Sequence, residues 1–363
     1  MRILRIFLLF FLLAMVSACS KADEAPSKDK NQNSSSKDAE PATVQQEETL
    51  VTNLRVPWDI EVAEGTFFIS ERNGNIVSWQ PGENKERMDV HVRKPVLQRG
   101  EGGFLGLKLH PDFEKNGQAF AYHTYEENGV TKNRVILLQK QGNSWQEVKA
   151  LLEGIPGANF HNGGRLEIGP DGKLYVTTGD ALERPLAQDK NSLAGKILRM
   201  NLDGSVPDDN PYPGSYIYSY GHRNPQGMAW TEDGVMYASE HGPDAHDEIN
   251  RIEKGSNYGW PEILGDETQE GMVSPLYQTG EDTWAPSGIA IHEADMYIAS
   301  LRGTAVRRMN LENNSPEIVT DQYGRIRDVE IVDGTLYFLT NNTDGRGNPT
   351  EEDDRLVKLP IES

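Results

Sequence analysis

From residue 50 onward the chain repeats one pattern. A short apolar strand is followed by a turn with Gly or Asp, an alternating strand, a polar stretch and a further strand. Pro57 to Val62 leads to Gly65 to Ser70 and then Asn75 to Trp79. Arg165 to Ile168 leads to Leu174 to Thr177 and then Gly195 to Met200. Gly288 to Ile291 leads to Asp295 to Ala299 and then Ala305 to Met309. About six such units follow one another at a period of roughly 40–60 residues, the spacing of a radial array of small sheets. A lone twisted sheet leaves two faces and two edges open, whereas radial stacking buries the faces and leaves only short edges. The expectation is an all-β chain folded as a six-bladed β-propeller over residues 49–363, with loops converging on a central channel. A two-sheet sandwich with long loops is the other arrangement that such strands allow. The 35 glycines and 20 prolines suit many strands and turns better than long helices. One short helix is expected, from Leu186 to Leu198.

The region before the repeats is of a different kind. Met1 to Arg5 is a short basic start, and Ile6 to Val16 is an apolar run of signal-peptide length. Val16-Ser17-Ala18-Cys19 has small residues ahead of the single cysteine, as in a lipoprotein signal. The expectation is a leader over residues 1–18, lipidation at Cys19 and an extracytoplasmic chain anchored to the membrane by lipid. An uncleaved anchor helix would need about 20 apolar residues, and this run is shorter. With one cysteine, no disulfide can form within the chain. Residues 20–48 carry almost no large apolar side chains, so they are read as a disordered tether. The formal charge of −20 argues against nucleic acid, whose phosphates would be repelled, and suits a soluble surface and a site for a cation.

Three Gly-rich polar loops flank strands of the repeat and carry side chains suited to chemistry. In Asn159 to Arg165, His161 stands beside Gly163 and Gly164. Its imidazole can take a proton from a hydroxyl near neutral pH. Gly221 to Gly227 holds Arg223, which could polarise a carbonyl oxygen, and Asn224. Arg325 and Arg327 alternate, so at strand period both face one way and could grip a polycarboxylate, with Arg302 adding a third positive charge. An ion pair of Arg327 with Asp328 or Glu330 is the plainer alternative. Gly242-Pro243, followed by Asp244, Asp247 and Glu248, suggests a hard cation bound by carbonyls and carboxylates, without the spacing of an EF-hand.

Taken together these motifs resemble the soluble quinoprotein glucose dehydrogenase and aldose sugar dehydrogenase family. The resemblance runs over roughly residues 50–360. It rests on Gly100 to Gly106 with His110 to Phe113, His161 to Asp171, Gly221 to Gly227, Glu240 to Asn250 with Asn257 to Trp260, and Arg325 to Asp328. It implies a six-bladed propeller that uses pyrroloquinoline quinone (PQQ) and calcium to oxidise aldoses to lactones, passing electrons to an external acceptor. It implies His161 as catalytic base, Arg223 as the group polarising the quinone carbonyl, and Glu101, Asn224, Arg302, Arg325 and Arg327 around the cofactor. Gly242 and Pro243 would hold calcium beside the cofactor through their carbonyls. Glu248 and Tyr258, the latter through its backbone, would hold a second calcium. The chain is free to act alone or as a homodimer.

Four positions depart from the family pattern. Glu101 replaces a common glutamine, and a carboxylate there would repel an anionic cofactor unless protonated or paired. Phe160 stands where the glucose dehydrogenase branch carries an aspartate, Arg302 where a lysine is common, and His241 where that branch has a glutamine. Two other functions fit the same architecture: a calcium-dependent lactonase-type hydrolase, and a non-catalytic binding module.

Overall fold

The computed structural model describes residues 47–361; the leader, Cys19 and nearly all of the tether lie outside them. The described chain is built almost wholly of strands, arranged as four sheets of four strands and one of eight. The eight-stranded sheet is two antiparallel four-strand runs, residues 57–91 and 104–156. They are joined where Glu86–His91 pairs in parallel with Ser144–Pro156, at Asp89 opposite Ser144. The remaining sheets span residues 166–220, 225–278 and 286–320. The last is built from Ile326–Val332, Thr335–Thr340 and Leu356–Pro360, and is completed by Glu48–Val51 from the other end of the domain.

Six strands each begin a four-strand run: Pro57–Ala63, Phe104–Leu109, Leu166–Ile168, Pro225–Trp230, Pro286–His292 and Ile326–Val332. Each touches the next, and the last touches the first, so these strands close a ring. The apolar clusters lie between neighbouring sheets rather than between two stacked layers. One packs Trp58, Leu105, Phe120 and Tyr122 against Leu166, Val176 and Leu198, all with 0 or 1 % of their surface exposed. Burying each such side chain contributes about 1.5–3 kcal/mol. This is the radial packing that the repeat predicts, not the sandwich.

A polar core ties the ring together inside. The Arg165 guanidinium pairs with Asp59 and, at 2.8 Å, with Asp328, and its Nε donates to the Gln226 carbonyl at 3.0 Å. Asp59 also accepts from the Leu107 N–H at 2.8 Å. Trp58 lies under the Arg165 guanidinium at 4.4 Å. Asp328 is therefore the partner of Arg165, and not of Arg327.

Where sequence and structure differ, packing explains why. The fourth strands escape the repeat because they present one mostly solvated face: Glu86–His91 and Ser315–Thr320 each bury a single residue fully. The helix expected over Leu186 to Leu198 is absent. Only Arg184–Ala187 is helical, as one 3-10 turn, and Lys196–Met200 is a fully buried strand. Gly195 interrupts between them at φ 65°, where a side chain would collide with Ala187 and the His222 carbonyl. The buried Lys196 ammonium holds that loop by donating to the carbonyls of Leu186, Ala187 and Ala194 at 2.8, 3.0 and 2.6 Å.

Candidate active site

Five of the six inner strands slip register against their neighbour near their first residues, at Pro57/Asp59, Phe104/Leu107, Pro225/Gly227, Pro286/Ile289 and Ile326/Asp328. Such bulges bend a strand and re-aim its side chains. The loops leading into these strands, and those leaving the second strand of each sheet, share one end of the ring. They surround a cavity of ≈ 320 Å³, within the range of small-molecule sites.

His161 lines this cavity with a positive φ of 60°. That loop conformation depends on its glycines: a side chain on Gly163 would meet the Thr177 carbonyl at 2.6 Å. The imidazole Nδ1 is 2.7 Å from Asp180 Oδ1. Asp180 is wholly buried and also accepts from the Leu182 N–H and the Trp260 indole N–H, each at 2.8 Å. Burial acts to raise the Asp180 pKa, but hydrogen bonding from His161, its charge, and the Trp260 and Leu182 donors outweigh it, so the carboxyl sits below its ordinary value. An ionised Asp180 fixes the Nδ1 proton and leaves Nε2 as the basic nitrogen. The sequence reading missed Asp180; its signal was Gly179-Asp180 at the end of a strand, a polar residue after an apolar run.

Arg223 reaches the same cavity. Its Nη1 donates to the His241 carbonyl at 3.0 Å, and its Nη2 reaches the Pro243 carbonyl at 3.5 Å. Its backbone N–H donates to Glu240, whose other oxygen is 2.9 Å from His222 Nδ1. Asn224 is buried, and its side-chain Oδ1 accepts from the Gly163 N–H at 3.1 Å, linking the arginine loop to the histidine loop. The Gly242-Pro243 loop is held by Asp247. That carboxylate accepts from the N–H groups of Gly242 (2.9 Å), Trp284 (2.6 Å) and Ala285 (2.8 Å). Asp247 thus serves as an internal anchor for the loop.

Arg302 stands exposed at the rim, while Arg325 is buried in the wall, donating to the Leu301 carbonyl at 3.2 Å and to Asp344 at 2.9 Å. Arg327 stays within electrostatic reach of Arg325 but, unlike it, does not line the cavity. The bulge at Ile326/Asp328 intervenes, and Arg327 lies deeper, bonded to Gln226 at 2.7 Å and to Ser287 and Asn341 at 3.3 Å. Burial lowers its pKa to about 9.

Glu101 faces the cavity and is paired, which answers the repulsion expected of it. Arg346 Nη1 donates to its Oε1 at 2.8 Å, and the His161 N–H approaches its Oε2 at 3.3 Å. Burial pushes its pKa up, but His241, Arg346 and Arg327 outweigh burial and hold it at about 2. The loop itself is fixed by the Arg72 guanidinium, which donates to the Gly100 and Gly102 carbonyls. Neither Arg346 nor its second partner Asp344 was expected from the sequence, although Asp344-Gly345-Arg346-Gly347 has the same Gly-flanked form as the other site loops.

Glu248 and Tyr258 line a smaller adjoining cavity with Gly242 and Pro243. Burial, with the charge of Glu240, raises the Glu248 pKa to about 8. The Tyr258 hydroxyl turns to the Arg251 carbonyl at 2.6 Å. Among the described residues no three His, Cys, Asp or Glu side chains converge as a metal-ligand group.

A family model described as Glucose / Sorbosone dehydrogenase matches residues 54–350. Quinoprotein glucose dehydrogenase B of Acinetobacter calcoaceticus is 34% identical over 261 residues, which cover 63% of this chain and 55% of that protein's length. Aldose sugar dehydrogenase YliI of Escherichia coli K12 is 32% identical over 347 residues, covering 85% of this chain and 92% of the relative. The structure of PQQ-bound aldose sugar dehydrogenase from Streptomyces coelicolor superposes with a TM-score of 0.82 at 37% identity, covering 87% of this chain and 97% of the other. The chain belongs to the glucose/sorbosone dehydrogenase family.

Proposed function

We propose that the protein is a PQQ- and calcium-dependent aldose sugar dehydrogenase on a six-bladed propeller, oxidising the anomeric carbon of aldoses to lactones. The six-strand inner ring supports the blade count. The observation that carries the chemistry is the state of the cavity wall. Arg223 Nε, Asn224 Nδ2 and Arg325 Nε are buried donors without a hydrogen-bond partner among the described residues. They stand around the cavity that the His161–Asp180 pair also faces. Buried donors left unpaired are costly, and an acceptor-rich anion would satisfy them. These residues therefore fit a polycarboxylate quinone. For calcium, the donor set has the right chemistry: Gly242, Pro243 and the half-buried Glu248 line one small cavity, and Glu248 lies near Glu240 without a cationic partner among the described residues.

When bound, PQQ supplies the acceptor for the hydride that leaves the anomeric carbon. His161 Nε2 takes the proton of the anomeric hydroxyl, and Asp180 stabilises the imidazolium so formed. Arg223, Asn224 and Arg325 would hold and orient the cofactor, with Arg223 offering positive charge to its oxygens. Phe160, 44% exposed beside His161, offers an apolar surface to the sugar ring. A separate electron acceptor would complete the turnover. We further place the enzyme outside the cytoplasm, tethered through lipid at Cys19, on the strength of the leader pattern.

The test combines purified protein with PQQ, calcium, a dye acceptor and a panel of aldoses. Dye reduction by at least one aldose, lost in His161→Ala, is the expected result. No reduction by any sugar, with wild type and variant alike, overturns the reading. Lactone hydrolysis without added quinone would favour the hydrolase instead.

A further inference from the structure

A carboxylate in the wall of a cavity built for an anion needs a reason. Glu101 stands in that wall with only 13% of its side chain exposed. Its charge is matched by Arg346, which lies 245 residues away in sequence, on the loop between Thr340 and Leu356. The latch thus joins the sheet that starts at Pro57 to the sheet that closes the ring. Arg346 in turn bonds Asp344 through Nη2 at 3.0 Å, and Asp344 bonds Arg325 at 2.9 Å. Acid and base alternate from Glu101 through Arg346 and Asp344 to Arg325. With two of each, this run of side chains adds no net charge to the wall; Arg346 itself lines the cavity, and the arginines of the lining outside the run are Arg223 and Arg302.

We propose that Arg346 is a positioning residue for the cofactor pocket: it acts through Glu101, cancelling and orienting that carboxylate so that an anionic quinone can bind beside it. The inference rests on the quinone reading above. Arg346 keeps 40% of its side chain exposed, so by itself it is a weak contributor to stability. Its effect is on binding. Without it, Glu101 keeps a buried charge next to an incoming polycarboxylate, with the His161 N–H as its remaining hydrogen-bond donor. The consequence is a specific pattern of rescue. Loss of Arg346 harms binding, and loss of Glu101 in the same molecule repairs it, because the offending charge is gone. An arginine that grips the cofactor directly behaves differently, since removing Glu101 cannot replace a missing grip.

The experiment measures the dissociation constant of PQQ for the full-length protein by absorbance titration at fixed calcium. It compares wild type, Arg346→Gln, Arg346→Lys, Glu101→Gln and the double variant Glu101→Gln/Arg346→Gln, with circular dichroism to check folding. We expect Arg346→Gln to bind more than threefold more weakly, on the order of tenfold. We expect Arg346→Lys and the double variant to lie within threefold of wild type. Arg346→Gln within threefold of wild type, or a double variant as weak as Arg346→Gln, overturns the proposal. If Arg346→Gln does not fold, the lysine variant decides: weakening beyond threefold despite the retained charge overturns it. Failure of the wild type to take up PQQ at all overturns the proposed function instead, so the two failures are distinct.

Discussion

Asp180→Asn is the most telling substitution at this site, because it changes the proton inventory with almost no change in shape. Asp180 accepts three hydrogen bonds: from His161 Nδ1 at 2.7 Å and Leu182 N at 2.8 Å on one oxygen, and from Trp260 Nε1 at 2.8 Å on the other. An amide has one acceptor oxygen and one NH2. If the oxygen faces His161, the NH2 opposes the Trp260 N–H. If it faces Trp260, the NH2 opposes the Leu182 N–H and drives the imidazole into the tautomer with Nε2 protonated, which cannot act as a base. Either way a buried donor is left unmatched, at a cost of about 1–3 kcal/mol in folding stability. The rate suffers more. A carboxylate about 4 Å from the imidazolium charge contributes about 4 kcal/mol at an effective dielectric constant of about 20, so kcat should fall by about 10³. Asp180 is wholly buried behind His161 and does not line the cavity. The affinity for PQQ should therefore stay within about threefold, well under 1 kcal/mol. Steady-state kinetics at saturating quinone, with a parallel binding titration, separate the two effects. A variant that keeps more than about a tenth of the wild-type kcat, or one that loses quinone affinity in step with rate, would refute the assignment of Asp180 as partner of the base.

Other substitutions and conditions probe the frame around the site. Arg165→Met leaves Asp59 and Asp328 buried without their shared counter-ion, and should destabilise the fold by about 3–5 kcal/mol; a loss below about 1 kcal/mol in denaturant titration would contradict the role given to it. Glu101 is held at about 2 against an ordinary 4.5, so its contribution is complete above pH 4.5 and is lost as pH falls towards 2. That contribution is about 3 kcal/mol, and the stability difference between wild type and Glu101→Gln should shrink by that order across the interval. Glu248 behaves oppositely. Its pKa is raised to about 8, so the calcium-free protein is favoured below pH 4.5 and loses that stability as pH rises through 8. The gain in Tm on adding calcium should therefore grow from pH 5 to pH 8.5 and diminish in Glu248→Gln; equal Tm with calcium and with chelator at every pH would count against a cation there.

What the sequence made legible follows from which groups interact locally. Strands such as Leu174–Thr178 and Asp295–Ser300 are nearly or wholly buried between neighbouring sheets, so they read as apolar runs bounded by turns. The outer strands carry mixed polar residues because one face is wet, and their pattern is that of loops. His161 and Arg223 stand out through the glycines that shape their own loops. Asp180 and Arg346 do not, because their meaning lies in a partner brought by another loop: 19 residues away for His161 and Asp180, and 245 for Glu101 and Arg346. Arg327 shows the limit of period-two reasoning. The pairing slips at Ile326/Asp328, Arg325 lines the cavity while Arg327 lies deeper, and no residue in Gly324-Arg325-Ile326-Arg327-Asp328 announces that slip.

The knot of Trp58, Asp59, Arg165, Arg327 and Asp328 also decides traffic. Each of these side chains is at most 4% exposed, and their bonds span the interior of the ring from strand to strand. The interior of the ring is thereby filled at this level, below the cavity that the loops surround at one end. On the proposed function, a sugar and an electron acceptor would then both approach from the loop end, and a sugar that lingers there would keep the acceptor out.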